Sequence, residues 1–172
     1  SDLIMRWGPP AGVADDVVIK LWVECFDIDY FSRGMEQVVW EFDIPHEEVL
    51  FASGQWLVEA SEEVKIDAVL DEIRAHIARY QDVLSIGLYV TGHTDTVGKA
   101  ADNQALSEKR AQEVARYFSR QQLGVPVFYR GVGETQLAFS TADEVSEARN
   151  RRMSYVLRDR SSAAGSWLSF SP

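Results

Sequence analysis

Val83-Leu84-Ser85-Ile86-Gly87-Leu88-Tyr89-Val90-Thr91-Gly92-His93-Thr94-Asp95 is an almost continuous apolar run that ends on a glycine, a histidine and an acid. A strand covered on both faces reads this way, because neither face carries the alternating polar residues of a half-solvated strand. The run predicts a central strand over 83–90, with Asp95 on the loop just beyond its end. The small residues Gly98, Ala100 and Ala101 keep that loop tight. A helix is predicted from about Asn103 to about Gln121, closed by Gly124. On it Asn103, Ser107 and Arg110 fall at i, i+4 and i+7, which sets them on one face. Leu106, Arg110, Val114 and Phe118 form a stripe at successive i+4 positions, so Arg110 stands in line with apolar residues. A guanidinium so placed is costly unless it is paired or serves a pocket.

Upstream, Ser1 to Ala14 contain Gly8-Pro9-Pro10 and predict an extended lead-in. Val17–Ile28 alternates with β-branched and aromatic residues and predicts a strand; Gln37–Ile44 predicts a second, with a turn at Phe31-Ser32-Arg33-Gly34. Pro45 ends this candidate hairpin, since proline cannot donate to a ladder. The hairpin either extends the sheet or offers Trp22, Phe26, Trp40 and Phe42 to a partner or a second copy. Ser61, followed by Glu62 and Glu63, predicts the N-cap of a helix over 62–80 whose apolar stripe includes Val64, Ala68, Ile73, Ile77 and Tyr80. Downstream, Val127–Tyr129 predicts a short strand, 131–134 a turn, Ala142–Arg149 a short acidic helix and Met153–Leu157 the last strand. Residues 158–166 have the composition of a linker. Trp167-Leu168-Ser169-Phe170 is expected to fold back onto the body.

The order predicts an α/β (α+β) fold: a mixed β-sheet covered by two main helices, with an amino-terminal β-hairpin extension. We divide the chain into an extension over 1–48, a core domain over 49–158 and a tail over 159–172. A length of 172 residues suits one such domain. The formal net charge of −10 argues against generic nucleic-acid binding and against electrostatic adhesion to membranes, both of which need a basic surplus. The single cysteine, Cys25, excludes an internal disulfide and a cysteine-rich metal site. No stretch approaches the length of a membrane span and the sequence holds no charged-then-apolar leader before a cleavage site, so a membrane anchor, if there is one, is expected outside this chain.

Asp95 on its loop and Arg110 on its helix bring opposite charges to one surface. Two readings stand side by side: a structural Asp95–Arg110 ion pair, or a split pair in which Asp95 takes a ligand's ammonium and Arg110 its carboxylate. In the second, Asn103 and Ser107 orient the ligand with neutral hydrogen bonds. The acid falls beyond the carboxyl end of a strand, where open sheets place ligands. Catalysis is not expected. Ser107 lies inside a helix with no nucleophile elbow, His93 and Asp95 lack a third metal ligand, and His93 is expected to brace the loop. No cofactor and no metal are expected.

Gly92-His93-Thr94-Asp95, Gly98, Asn103, Leu106-Ser107, Arg110-Ala111 and Asn150-Arg151-Arg152 resemble the signature of the OmpA-like carboxy-terminal domain, over about Val49 to Arg158. That family includes peptidoglycan-associated lipoproteins and the periplasmic domains of flagellar motor stators. The resemblance implies non-covalent binding of the peptidoglycan peptide stem through diaminopimelate, anchoring an envelope protein or complex to the wall. It implies a periplasmic or envelope location in a Gram-negative-type bacterium. By position, the binding residues would be Asp95, Asn103, Arg110 and Arg151, supported by Gly92, His93, Thr94 and Ser107. Val97 stands where members often carry a hydroxyl, and Gln136-Leu137 where they often carry proline. A different class of function, a protein–protein scaffold of an envelope assembly working through the hairpin and tail, is the alternative.

Overall fold

The computed structural model describes residues 19–20, 39–44, 49, 51–52, 54–160 and 166–170. In chain order the elements are β1 (Ile19–Lys20), β2 (Val39–Asp43), α1 (Ala60–Tyr80), β3 (Ile86–Gly92), α2 (Ala100–Arg120), β4 (Val127–Gly131), a 3-10 turn (Ala148–Asn150), β5 (Met153–Asp159) and β6 (Leu168–Phe170). They form one sheet in the order β1-β2-β5-β3-β4-β6. β3 and β4 run parallel, joined through α2, and the other pairings are antiparallel. The mixed sheet with two main helices is thus the predicted architecture. β1 pairs with β2, and β2 pairs with β5, so the described part of the amino-terminal extension lengthens the sheet. The rest of the expected hairpin, its turn, the lead-in and Cys25 lie outside the described residues.

α1 buries Ile66, Val69, Leu70, Ile73, Ile77 and Tyr80, the 3.6-residue stripe of an amphipathic helix. Val64, expected in that stripe, is 65% exposed. The helix starts earlier than Ser61: Glu59 is the N-cap residue, without a side-chain cap, and its carbonyl accepts from the amides of Glu62 and Glu63. At the other end the amides of Val83 and Leu84 bond back to the Tyr80 carbonyl, so these residues close α1 and β3 begins only at Ile86.

All of β3 is buried, for different reasons on its two faces. Ile86, Leu88 and Val90 join the core under the helices. On the opposite face Phe128 stacks on Tyr89 at 4.8 Å and Trp167 meets it edge-on, also at 4.8 Å. Trp167 lies just before β6, and the Arg130 guanidinium sits 4.2 Å from its ring. The tail therefore does fold back and cover the sheet. α1 and α2 are tied by a hydrogen bond from the Tyr117 hydroxyl to the Asp67 carboxylate.

The expected acidic helix over 142–149 does not form beyond Ala148–Asn150. Its backbone is taken by the loop after β3. Thr96 Oγ1 donates to the Ala142 carbonyl at 2.7 Å, the Thr96 carbonyl accepts from the Glu144 amide, and Glu144 has a φ of 59°. A residue in that left-handed region breaks a helix.

α2 lies directly on the backbone of β3 and β4. A Cβ at Gly92 would overlap the Ser107 carbonyl oxygen, and one at Gly131 would overlap the Glu108 amide and Ser107 Oγ. Gly92→Ala is expected to destabilise the fold by about 2–3 kcal/mol, since neither the strand nor the helix can withdraw. The shift of the urea unfolding midpoint measures it; a variant as stable as wild type would contradict this packing.

Candidate functional site

The loop after β3 is held from three directions. The His93 amide donates to the Arg152 carbonyl and the Thr94 amide to the Gly133 carbonyl, each at 3.0 Å. From below, Asn103 Nδ2 donates to the Asp95 and Val97 carbonyls at 3.2 and 3.1 Å and to the Glu134 carboxylate at 2.6 Å. Ser107 Oγ donates to the Gln104 carbonyl and accepts from the Gly133 amide at 2.9 Å. Ser107 is fully buried, so its hydroxyl joins helix to turn and presents no free group outward.

Asp95 is buried, yet its carboxylate does not meet Arg110. Arg151 Nη1 donates to Asp95 Oδ2 at 2.6 Å and to Ser146 Oγ at 3.0 Å. Arg110 instead gives Nε to the Gln55 carbonyl at 2.9 Å and Nη2 to the Ala52 carbonyl at 3.3 Å, with its guanidinium 4.8 Å from the Phe51 ring. The structural Asp95–Arg110 pair is therefore absent. The fork of Arg110 is turned to the loop before α1, and the acid is met by a cation from the turn before β5. Arg110 is 1% exposed, as its place in the apolar stripe requires. Burial, then the nearby charge of Arg151, lowers its pKa to about 10, with the charge of Asp95 opposing both. It remains a cation at neutral pH. Its Nη1, the Thr94 hydroxyl and Arg151 Nε are buried without a hydrogen-bond partner among the described residues.

The rest of the basic knot does other work. Asn150 is fully buried and exchanges hydrogen bonds with both backbone groups of Phe139. Arg149 forks onto Glu147, holding that carboxyl down at about 2, and stacks on Phe139. Arg152 Nη2 donates to the Gln136 carbonyl. Only Arg151 of this run reaches Asp95. Sequence reasoning missed Ser146, Glu134 and the carbonyls of Ala52 and Gln55. Of these only Glu134 left a signal, as the acid of the Gly-x-Gly-Glu turn.

His93 braces the loop as expected. Its Nδ1 lies 3.2 Å from the Gln136 carbonyl and its Nε2 3.2 Å from Ser154 Oγ. A carbonyl only accepts, so Nδ1 carries the proton and Nε2 accepts from the serine. Burial, then the nearby charge of Arg152, lowers the His93 pKa to about 4, against the hydrogen bond to Gln136. The unfolded imidazole titrates near 6.5, so between these values the unfolded chain binds a proton that the folded chain refuses. His93 therefore costs no stability above pH 6.5 and progressively more as pH falls toward 4. Between about pH 7.5 and pH 5 this amounts to roughly 2 kcal/mol. Urea unfolding of His93→Gln at both pH values is expected to show a fall smaller than wild type by about that much; equal falls would refute a neutral His93.

A family model described as the OmpA family matches residues 50–151, more than half of the chain. Among solved structures, the peptidoglycan-associated lipoprotein from Burkholderia pseudomallei is 26% identical with a TM-score of 0.50, over 64% of this chain and 88% of that one. A MotB-like protein from Desulfovibrio vulgaris is 26% identical with a TM-score of 0.47, over 72% and 76% of the two chains. The cell wall anchor of the T6SS from Pseudomonas aeruginosa is 23% identical with a TM-score of 0.46, over 71% and 81%. No curated protein sequence matches. The matched span holds β3, α2, β4 and the whole Asp95–Arg110–Arg151 cluster, and by that match the chain belongs to the OmpA family.

Proposed function

We propose that this chain binds cell-wall peptidoglycan non-covalently, through the diaminopimelate of the peptide stem, and so anchors an envelope protein or complex to the wall. The observation that carries the reading is a buried guanidinium, Arg110, whose Nη1 has no hydrogen-bond partner among the described residues, close enough to Asp95 and Arg151 to feel both charges. A carboxylate is the acceptor that satisfies such a group, and Asp95 is the counter-charge for an ammonium beside it. Asp95, Arg110 and Arg151 are the residues that meet ligand. Asn103 holds the Asp95 loop by its carbonyls, and Gly92, His93, Thr94 and Ser107 support the same loop. The name of the Burkholderia relative, a peptidoglycan-associated lipoprotein, supports the same substrate.

The reading is non-catalytic. His93 and Ser107 spend their polar atoms on separate partners and do not bond each other. It puts the chain in the periplasm or envelope. Among the described residues no helix is long and apolar enough to cross a membrane. The alternative, a scaffold working through hairpin and tail, is weakened where the tail is concerned, because Trp167 is packed on Tyr89 and Arg130.

Co-sedimentation with purified sacculi tests the proposal. Asp95→Asn and Arg110→Ala are each expected to lose at least about tenfold in affinity, since each leaves a buried opposite charge unmatched in the complex. Their folded state is to be checked by amide NMR spectra. Unchanged binding by both folded variants sinks the reading. Release of soluble muropeptides by wild type would sink its non-catalytic part.

A further inference from the structure

The proposed ligand brings two charges to a site whose acid already has a partner. Arg151 Nη1 lies 2.6 Å from Asp95 Oδ2, in the place a ligand's ammonium must take. The pair is shielded, with side-chain exposures of 22% for Arg151 and 9% for Asp95. Around it are buried polar atoms with no partner among the described residues: Arg110 Nη1, Arg151 Nε and the Thr94 hydroxyl. The guanidinium nitrogens can only donate, and the hydroxyl can donate too. The site is thus short of acceptors, and its acidic acceptor is engaged.

We propose that Arg151 is the residue that sets ligand specificity: it stands in for an ammonium on Asp95 and yields that position only to a ligand that offers it a carboxylate in exchange. This deepens the peptidoglycan reading and rests on it. The argument is one of exchange. An ammonium arriving alone would displace Arg151 and leave a partly buried guanidinium without the carboxylate it is paired with, next to the second cation Arg110. An ammonium with a carboxylate beside it replaces each broken contact: the ammonium takes Asp95, and the carboxylate takes Arg151 together with the unpartnered Nη1 of Arg110. A stem peptide with lysine at its third position is refused for want of that carboxylate. A diaminopimelate whose side-chain carboxyl is amidated is refused for the same reason, although its shape is almost unchanged. Ser146 contributes by giving Arg151 Nη1 a second acceptor at 3.0 Å, which strengthens its hold on the position.

The test is calorimetric titration of the whole chain with three synthetic stem tripeptides that differ at the third residue: meso-diaminopimelate, its side-chain carboxamide, and lysine. Wild type is expected to favour the first by at least about tenfold over each of the others. In Arg151→Gln that preference is expected to shrink to less than about threefold, because diaminopimelate loses affinity while lysine loses none. Arg151→Lys, which keeps a cation able to make the exchange, is expected to retain most of the preference. Ser146→Ala alters an exposed residue and is expected to fold whatever happens to Arg151→Gln. It should raise affinity for the lysine peptide about threefold, the worth of one hydrogen bond. Equal loss for all three peptides in Arg151→Gln, or an undiminished preference, overturns the proposal, as does a wild type that binds lysine and diaminopimelate alike. If folded wild type binds none of the peptides, the diaminopimelate reading itself fails and the role of Arg151 with it.

Discussion

The closest constraint in this fold is the contact of α2 with the ends of β3 and β4. Helices normally keep a side-chain layer between themselves and a sheet, about 10 Å from axis to plane by the usual dimensions of packed elements. Here Gly92 and Gly131 remove that layer, and the backbone around Ser107 touches both strands. The contact sets the height and rotation of α2. Asn103, one turn before Ser107, then falls beneath the loop after β3, and Arg110, one turn after, falls where the chain before α1 passes with the carbonyls of Ala52 and Gln55. A bulkier strand end would lift the helix and take both side chains out of reach of their acceptors. Two glycines thus fix the geometry of a site whose charges lie on other residues.

The site also depends on what surrounds it. The chain carries a formal charge of −10, so an anionic polymer is repelled from most of its surface. Arg110 and Arg151 stand together against that field, with Asp95 as the near counter-charge. Screening by salt is weak for buried charges, and their interactions are correspondingly strong. In the proposed role, recognition is therefore confined to one place by burial, with no basic surface required.

Much of this is legible in the sequence. The apolar run reads as a strand buried on both faces, which holds for Ile86–Gly92 but not for Val83, 76% exposed at the end of α1, and the i+4 series Leu106, Arg110, Val114, Phe118 marks a buried arginine. Periodicity succeeds there because it reports which side of an element is covered. It does not report which charge meets which. Of the two readings of Asp95 and Arg110, the structural pair rested on proximity in sequence, whereas Asp95 meets Arg151, which comes from the far end of the domain. The partners of Arg110 are backbone carbonyls, which every residue possesses and no sequence pattern marks. The lost acidic helix over 142–149 is a tertiary override of the same kind: Thr96 offers that segment's backbone better-placed partners than a helix of its own would.

The two halves of the Asp95–Arg151 pair are not equally free to move, and this decides how the site can respond to a ligand. Asp95 sits on a loop fixed through the amides of His93 and Thr94, through its own carbonyl to Asn103, and through Thr96 to residues 142–145. Beneath that loop β3 is clamped by the core on one face and by Phe128 and Trp167 on the other. Displacing the acid would break several of these contacts at once. Arg151 follows a single 3-10 turn, and its guanidinium is held by one carboxylate and one exposed hydroxyl, with Nε making no hydrogen bond among the described residues. Its long side chain can rotate while the backbone stays in place. When a competing cation reaches this pair, the acid stays and the arginine leaves.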